Sequence, residues 1–445
     1  MAELLENIIS EINKLDESSY YGRVTAVQGL FIEVSGIRSD LSIGDRCNIF
    51  STNGKKVPCE LVSFRGGKLL FMPYGSLEGI GLGCRVEVEN AAPVIYPHPS
   101  WLGRIINSFG EAIDGKGPLI KGAKPYYIKA SPPPAAFRDR VCGKVDLGVK
   151  AVNTFLTICK GQRMGIFAGS GVGKSTLMSM MAQNTDSDVS VIGLIGERGR
   201  EAKEFVEDTL GEAGLAKSVL VLATSDESPL MRRQAAYVAM AVAEFFRDQN
   251  KDVLCMMDSI TRFAMAQREI SLSVGEPPAS KGYTPSVFAE LPRLLERAGP
   301  GSGNGTITGL FTVLVDGDDH NEPIADAVRS ILDGHIVLDR SIAERNRYPA
   351  INILRSISRT MPDCNCAEEN QIVSKARKYI AAYEDMAELI RLGAYKKGSN
   401  REVDEAIFYY PKIEEFLAQG KKERITLAEC YEQLGAILAT PYNPA

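Results

Sequence analysis

The sequence predicts an α/β protein built on a parallel sheet, preceded by a small β-barrel and followed by a small helical domain. Three observations carry this reading. From Tyr20 to about Asn90, apolar residues alternate at period two in short runs broken by glycine turns. From Met164 to Leu338, near-continuous apolar runs alternate with helical stretches, the pattern of βα units in a sheet covered on both faces. From about Glu368 onward the period is helical throughout. The expected divisions are an amphipathic helix over residues 1–18, a barrel over 19–92, the sheet domain over 93–367 and the helical domain over 368–445.

Composition narrows the function classes. A chain of 445 residues has room for two or three domains and a large core. Its net charge of -5 argues against a protein whose main business is binding nucleic acid. No run approaches the ~18 apolar residues of a membrane span, and residues 1–18 lack the n-region and h-region of a signal peptide. Nine scattered cysteines suit a reducing compartment, so the expected location is the cytoplasm. Cys364 and Cys366 form the only close pair and have no histidine nearby, which favours core or loop thiols over a metal site.

Taken in order, residues 1–15 place Leu4, Leu5, Ile8, Ile9, Ile12 and Leu15 on one helical face. Such a helix either folds back on its own domain or docks on another protein. The period-two runs fall at residues 22–27, 30–34, 46–50, 58–62, 69–72 and 85–89, and their short spacing indicates a barrel. Too few aromatics interleave with Lys or Arg to favour nucleic-acid binding there, so a structural or assembly role leads. Residues 93–134, rich in Pro and Gly, read as a covering linker with a short strand at 102–106. In the main domain, strands are expected at 164–168, 189–195, 218–223, 253–257, 307–315 and 335–338, with helices such as 201–210 and 231–246 between them. Ligands of such sheets sit at the carboxyl ends of the strands. The helical region carries a stripe of Ile380, Tyr383, Met386, Leu389 and Ile390, a second over 425–438, and a break at Lys396-Lys-Gly-Ser-Asn.

The stretch between Gly161 and Asn184 is the chemical centre. Gly169, Ser170, Gly171, Val172 and Gly173 join the strand at 164–168 to a helix that begins at Lys174. The glycines let backbone amides turn inward around phosphate oxygens, where a side chain would block the approach. Lys174 would reach the β and γ phosphates of ATP, the Ser175 hydroxyl beside Thr176 would ligate Mg2+, and the helix points its positive end at the anion. Ala168 stands where the usual pattern has glycine, and fits if its φ is negative.

Five further positions belong to this constellation. Asp258 ends the run at 253–257, where an acid completes a magnesium shell, or else caps the helix that follows. Glu197, just past the strand at 189–195, either orients and deprotonates an attacking water or is a surface acid. Arg198 and Arg262 follow the two acids, and either could neutralise charge on a transferring phosphoryl group. Arg359, in Leu354-Arg-Ser-Ile-Ser-Arg-Thr, could be a guanidinium delivered to a neighbouring subunit, with Arg355 the alternative and plain surface pairs the third reading. Asp316-Gly-Asp-Asp-His-Asn-Glu precedes Pro323 and reads as a capped polar loop more readily than as a metal cluster.

The segments Ala168-Gly-Ser-Gly-Val-Gly-Lys-Ser, Gly193-Leu-Ile-Gly-Glu-Arg-Gly-Arg-Glu, Met257-Asp-Ser-Ile-Thr-Arg-Phe-Ala, the stretch from Pro278 to Arg297 and the stretch from Asn321 to Ile336 together resemble the type III protein export ATPases, most closely the flagellar kind. The resemblance runs from about Tyr20 to near the C-terminus. It implies a β-barrel, a RecA-like P-loop domain and a helical domain, kinship with the catalytic subunit of rotary ATP synthases, and a homohexamer. Carried over by position, it implies phosphate and magnesium roles for Lys174 and Ser175, the water base at Glu197, and active-site places for Arg198 and Asp258. It also implies that Arg359 is the finger entering the neighbour's site and that Tyr348, in Arg347-Tyr-Pro-Ala, stacks on adenine. The implied partners are the chain's own copies, a stator-like peripheral regulator through the N-terminal helix, a central stalk protein, export chaperones and substrates, and a membrane export gate, with docking at the cytoplasmic face of the inner membrane. Ala394-Tyr-Lys-Lys-Gly-Ser-Asn-Arg replaces the acidic loop of synthase catalytic subunits, which weakens a proton-pumping reading. A termination-factor type RNA translocase is the competing class, distinguished by RNA-stimulated, salt-sensitive turnover.

Overall fold

A computed structural model describes residues 21–37, 41–89, 92–134, 136, 138–315 and 322–442. The helix expected over residues 1–18 and the loop at 316–321 lie outside them.

The six period-two runs are six strands: β1 (Tyr21–Gln28), β2 (Phe31–Ser35), β3 (Arg46–Phe50), β4 (Lys56–Arg65), β5 (Lys68–Pro73) and β6 (Arg85–Glu89). They close into a barrel in the order β1-β2-β5-β4-β3-β6. Alternation sends Ile32, Val34, Ile49, Leu61, Phe71 and Val86 into its fully buried core, which is what a closed sheet with one filled face requires.

Residues 93–134 hold β7 (Val94–Ile95), β8 (Arg104–Ile106) and β9 (Tyr126–Tyr127). β8 is no covering strand. It pairs in parallel with residues Ser218–Thr224 and forms one edge of the main sheet, so the expected linker is an integral part of the sheet domain.

The remaining strands are β10 (Cys142–Val145), β11 (Ile158–Lys160), β12 (Arg163–Ala168), β13 (Val189–Glu197), β14 (Ser218–Thr224), β15 (Asp252–Asp258), β16 (Gly299–Pro300), β17 (Thr306–Leu314), β18 (Gly334–Leu338) and β19 (Ile357–Ser358). The sheet order is β19-β18-β12-β17-β15-β13-β14-β8, with β19 antiparallel to β18 and the pairs from β18 to β8 parallel. β12 shows why the runs are apolar on both sides. Met164, Ile166 and Ala168 enter one core and Phe167 the other. Helices Pro229–Arg247, Ile260–Ser273 and Pro285–Leu295 cover the Phe167 face.

The C-terminal region is helical over Ala367–Arg391, Arg401–Leu417 and Leu427–Ala439, broken where Lys396-Lys-Gly-Ser-Asn was read as a break. Thr426 and Glu429 form a capping box that starts the last helix. Tyr409, Ile413, Phe416 and Leu434 share a core with Met164 and Ile166, so these helices seat directly on the sheet domain.

Candidate active site

The glycine loop lies where β12 ends and helix Lys174–Asn184 begins. Gly173 is the helix N-cap at φ 93° and Gly171 sits at φ 78°, backbone that L side chains rarely adopt. A Cβ built on Gly171 would meet no atom within 4 Å, so the backbone borders open space there. Gly169 is not among the positive-φ glycines, so the left-handed turns rest on 171 and 173 alone. Ala168 is fully buried with negative φ, which resolves its departure from the usual pattern. Val172 turns its side chain into the core, leaving only its backbone for a ligand.

A cavity of 570 Å³ opens over the loop, lined by Gly169, Ser170, Gly171, Gly173, Lys174, Ser175, Thr176, Glu197, Arg198, Glu201, Arg262, Leu314 and Val315. Strand register gathers its charged members. Leu194 of β13 is level with Asp258 of β15, and Ala168 of β12 is level with Leu314 of β17. Beyond Leu194 the register slips at Gly196, whose φ of 68° makes a bulge that re-aims Glu197. A Cβ on Gly196 would lie 3.0 Å from the Arg262 Cβ, so the bulge needs glycine.

Lys174 Nζ then sits 2.5 Å from Asp258 Oδ1 and 3.5 Å from Glu197 Oε1. Thr312 donates its hydroxyl to Asp258 Oδ1 at 2.7 Å and holds that carboxylate in place. Burial pushes the Glu197 carboxyl up to about 6, with Asp258 and Glu201 adding to the rise and Lys174 opposing it. A carboxylate poised there accepts a proton near neutral pH. The donor set of a serine hydroxyl and one carboxylate is all oxygen, which fits magnesium completed by phosphate oxygens. Among the described residues no group of three or more His, Cys, Asp or Glu could hold a metal ion by itself.

Arg198 is exposed and 3.5 Å from Glu201, while Arg262 is half-buried with its Nε lacking any hydrogen-bond partner. Of the two, Arg262 is the less exposed and carries an unsatisfied buried Nε beside the cavity. Arg340 donates to the Ser170 carbonyl at 2.9 Å and props the loop from β18's side.

Tyr348 lies 42% exposed at the mouth of an adjoining cavity of 440 Å³, with Gly171, Gly173, Thr176, Leu177, Met180, Pro349, Gln419, Gly420 and Lys421. Gly171, Gly173 and Thr176 line both cavities, so an aromatic face borders the phosphate loop, its ring 3.6 Å from where a Cβ on Gly173 would stand. Gln419 crosses from the helical region and donates its backbone N–H to the Tyr348 carbonyl at 2.8 Å.

The two finger candidates separate. Arg355 stands 3.8 Å from Asp339, just past β18 at the loop's end of the sheet. Arg359 is exposed, donates its N–H to the Asp333 carbonyl, and no ion pair holds its side chain among the described residues. Asp333 precedes β18, whose Leu338 is level with Ala168, so Arg359 is anchored roughly 15 Å of strand from its own loop.

Sequence reasoning missed Thr312, Gln419, Gly420, Lys421 and Arg340. A threonine inside the apolar run of β17 was the one legible signal among them.

The ATP synthase alpha/beta family, nucleotide-binding domain, matches residues 148–358, and the T3SS EscN ATPase C-terminal domain matches residues 366–436. The flagellum-specific ATP synthase of Caulobacter vibrioides is 56% identical over 98% of this chain and 100% of its own length. That of Bacillus subtilis is 49% identical over 97% of this chain and 98% of its own. The solved structure of the assembled ATPase EscN from the enteropathogenic E. coli type III secretion system covers 94% of this chain and 100% of its own, at TM-score 0.87 and 38% identity. A second structure, of EscN in complex with its central stalk EscO, matches over the same shares at TM-score 0.86 and 38% identity.

Proposed function

The chain belongs to the flagellum-specific and type III secretion ATPases of the ATP synthase alpha/beta family, and from that premise we propose that it hydrolyses ATP with magnesium to drive protein export. The observation that carries this reading is the meeting of Lys174, Asp258 and Glu197 over the glycine loop, with Glu197 raised to about 6. Ser175 and Asp258 would hold the magnesium ion, which supplies neutralisation of the β and γ phosphate oxygens when bound. Lys174 and the loop amides grip the triphosphate, and Arg262 takes up charge that develops on the γ-phosphoryl group. Glu197 orients a water for in-line attack and accepts its proton. Tyr348 stacks on the adenine.

The working form is a homohexamer, as the relative EscN is described in its assembled state. Arg359, too far from its own loop, then enters the neighbour's site as the finger, so identical copies each supply a base in cis and a guanidinium in trans. The ring stands at the cytoplasmic face of the inner membrane, releases export substrates from chaperones and promotes their delivery to the export gate. The central stalk is a partner, as EscO is for EscN, and the N-terminal helix docks on the stator-like regulator. No helix among the described residues is long and apolar enough to cross a membrane, so attachment would run through partners.

The direct test is phosphate release by purified chain, concentrated enough to assemble, given magnesium and ATP. Turnover that appears with assembly is expected; no release at any concentration would remove the reading.

A further inference from the structure

We infer that Gln162 is a positioning residue for the Arg359 finger, and so ties each subunit's own phosphate-loop strand to the site it serves on its neighbour. The inference rests on the trans finger proposed above. Gln162 is fully buried between β11 and β12, and its amide meets the Ser358 and Thr360 hydroxyls on either side of Arg359 and the Asp333 carbonyl that holds the Arg359 N–H. Its Nε2 donates to the Ser358 hydroxyl at 2.9 Å, on the residue before the finger. The same Nε2 donates to the Asp333 carbonyl at 3.2 Å, the oxygen that also receives the N–H of Arg359 at 2.9 Å. Its Oε1 accepts from the Thr360 hydroxyl at 3.0 Å, on the residue after the finger, and from the Cys159 N–H at 2.9 Å.

Ser358 passes the restraint on by donating to the Thr157 carbonyl at 2.8 Å. The peptide units either side of Arg359 are therefore fixed, while its guanidinium stands exposed. An extended side chain on a fixed base reaches a constant point, and a finger gains its effect from that constancy. β19 is only two residues long, too short to be held by sheet pairing alone, which is why a buried amide is needed. Gln162 also precedes Arg163, the first residue of β12, whose last residue, Ala168, leads into the phosphate loop. One rigid strand thus carries a subunit's own loop at one end and, through this amide, the finger it lends to its neighbour at the other.

The test is a double-mutant cycle in the assembled ring. Gln162→Met keeps the length of the side chain and removes its amide. It should lower kcat ~10- to 100-fold while KM and displacement of a fluorescent ADP analogue stay within about twofold. In an Arg359→Ala ring the same change should cost less than about twofold, since the group it positions is gone. Equal losses with and without Arg359, or a KM change as large as the kcat change, would overturn the inference and assign Gln162 to its own subunit's loop. Should Gln162→Met fail to fold, Thr360→Val removes one link, with the same non-additivity expected at ~3- to 10-fold. Full turnover by the Arg359→Ala ring would remove finger and positioning role together, whereas a wild-type ring without turnover would overturn the functional reading beneath them.

Discussion

Two carboxylates, each taken out of water and each facing cations, are shifted in opposite directions. Glu60 of β4 is fully buried at the seam between barrel and sheet domain. Burial works against its charge, yet Arg233 and Lys129, with hydrogen bonds from Lys129 and Tyr74, hold it down at about 2. Its Oε1 takes Arg233 at 2.7 Å and Lys129 at 2.8 Å, and its Oε2 takes the Tyr74 hydroxyl at 2.6 Å. Glu197 has one cation, Lys174, shared with Asp258 and 3.5 Å away, and burial prevails. A carboxylate bonded to two cations and a hydroxyl welds two domains. One left short of partners stays available to a proton.

The sharpest way to break the comparison is Glu197→Gln. Removing the base should cut turnover ~10²- to 10⁴-fold while nucleotide binding, read by fluorescent ADP, is kept. Retained turnover would place the base elsewhere. Glu60→Gln should act in the other currency. Leaving Arg233 and Lys129 without their anion should destabilise the fold by about 3 to 5 kcal/mol, read by chemical denaturation. Nucleotide affinity of the folded fraction should be unaltered, and a loss of affinity at unchanged stability would merge the two roles.

The pH dependences separate the two acids further. Glu197 must be ionised to act, so kcat should fall about tenfold per pH unit below about 6 and level off above it. Glu60 has its folded value depressed, so its contribution to stability is present above the ordinary carboxylate range and is lost as pH falls from about 4.5 toward about 2. Between these windows the protein should be folded but slow, and a stability loss tracking the activity loss near 6 would contradict the assignment. The smallest effect is expected for Tyr348→Ala, which removes a stacking face and should raise KM ~2- to 10-fold with kcat little changed.

Much of this was legible because it is local. The six barrel strands follow from period two, and the helical stretch expected at 231–246 is the body of helix Pro229–Arg247. The strand at 102–106 was placed in a linker because its partner, β14, lies more than a hundred residues on, and pairing at that range leaves no mark on either run. Gln419, Gly420 and Lys421 were invisible for a similar reason. Their part in the base cavity comes from how the helical region seats on the sheet, through the Gln419 N–H to Tyr348 and the Gln419 amide to Gly148.

By itself the sequence determined the phosphate loop, the two acids at strand ends and the order of barrel, sheet and helices. Glycine at 171 and 173, a helix starting at Lys174 and an apolar period are requirements of backbones a few residues long, and composition states them directly. Only the tertiary structure decided that Lys174 lies against Asp258, that the Gly196 bulge turns Glu197 into the same cavity, and that Arg359 stands at the far end of the sheet. Those depend on the register between strands, which is set by the packing of both sheet faces at once and by no single segment.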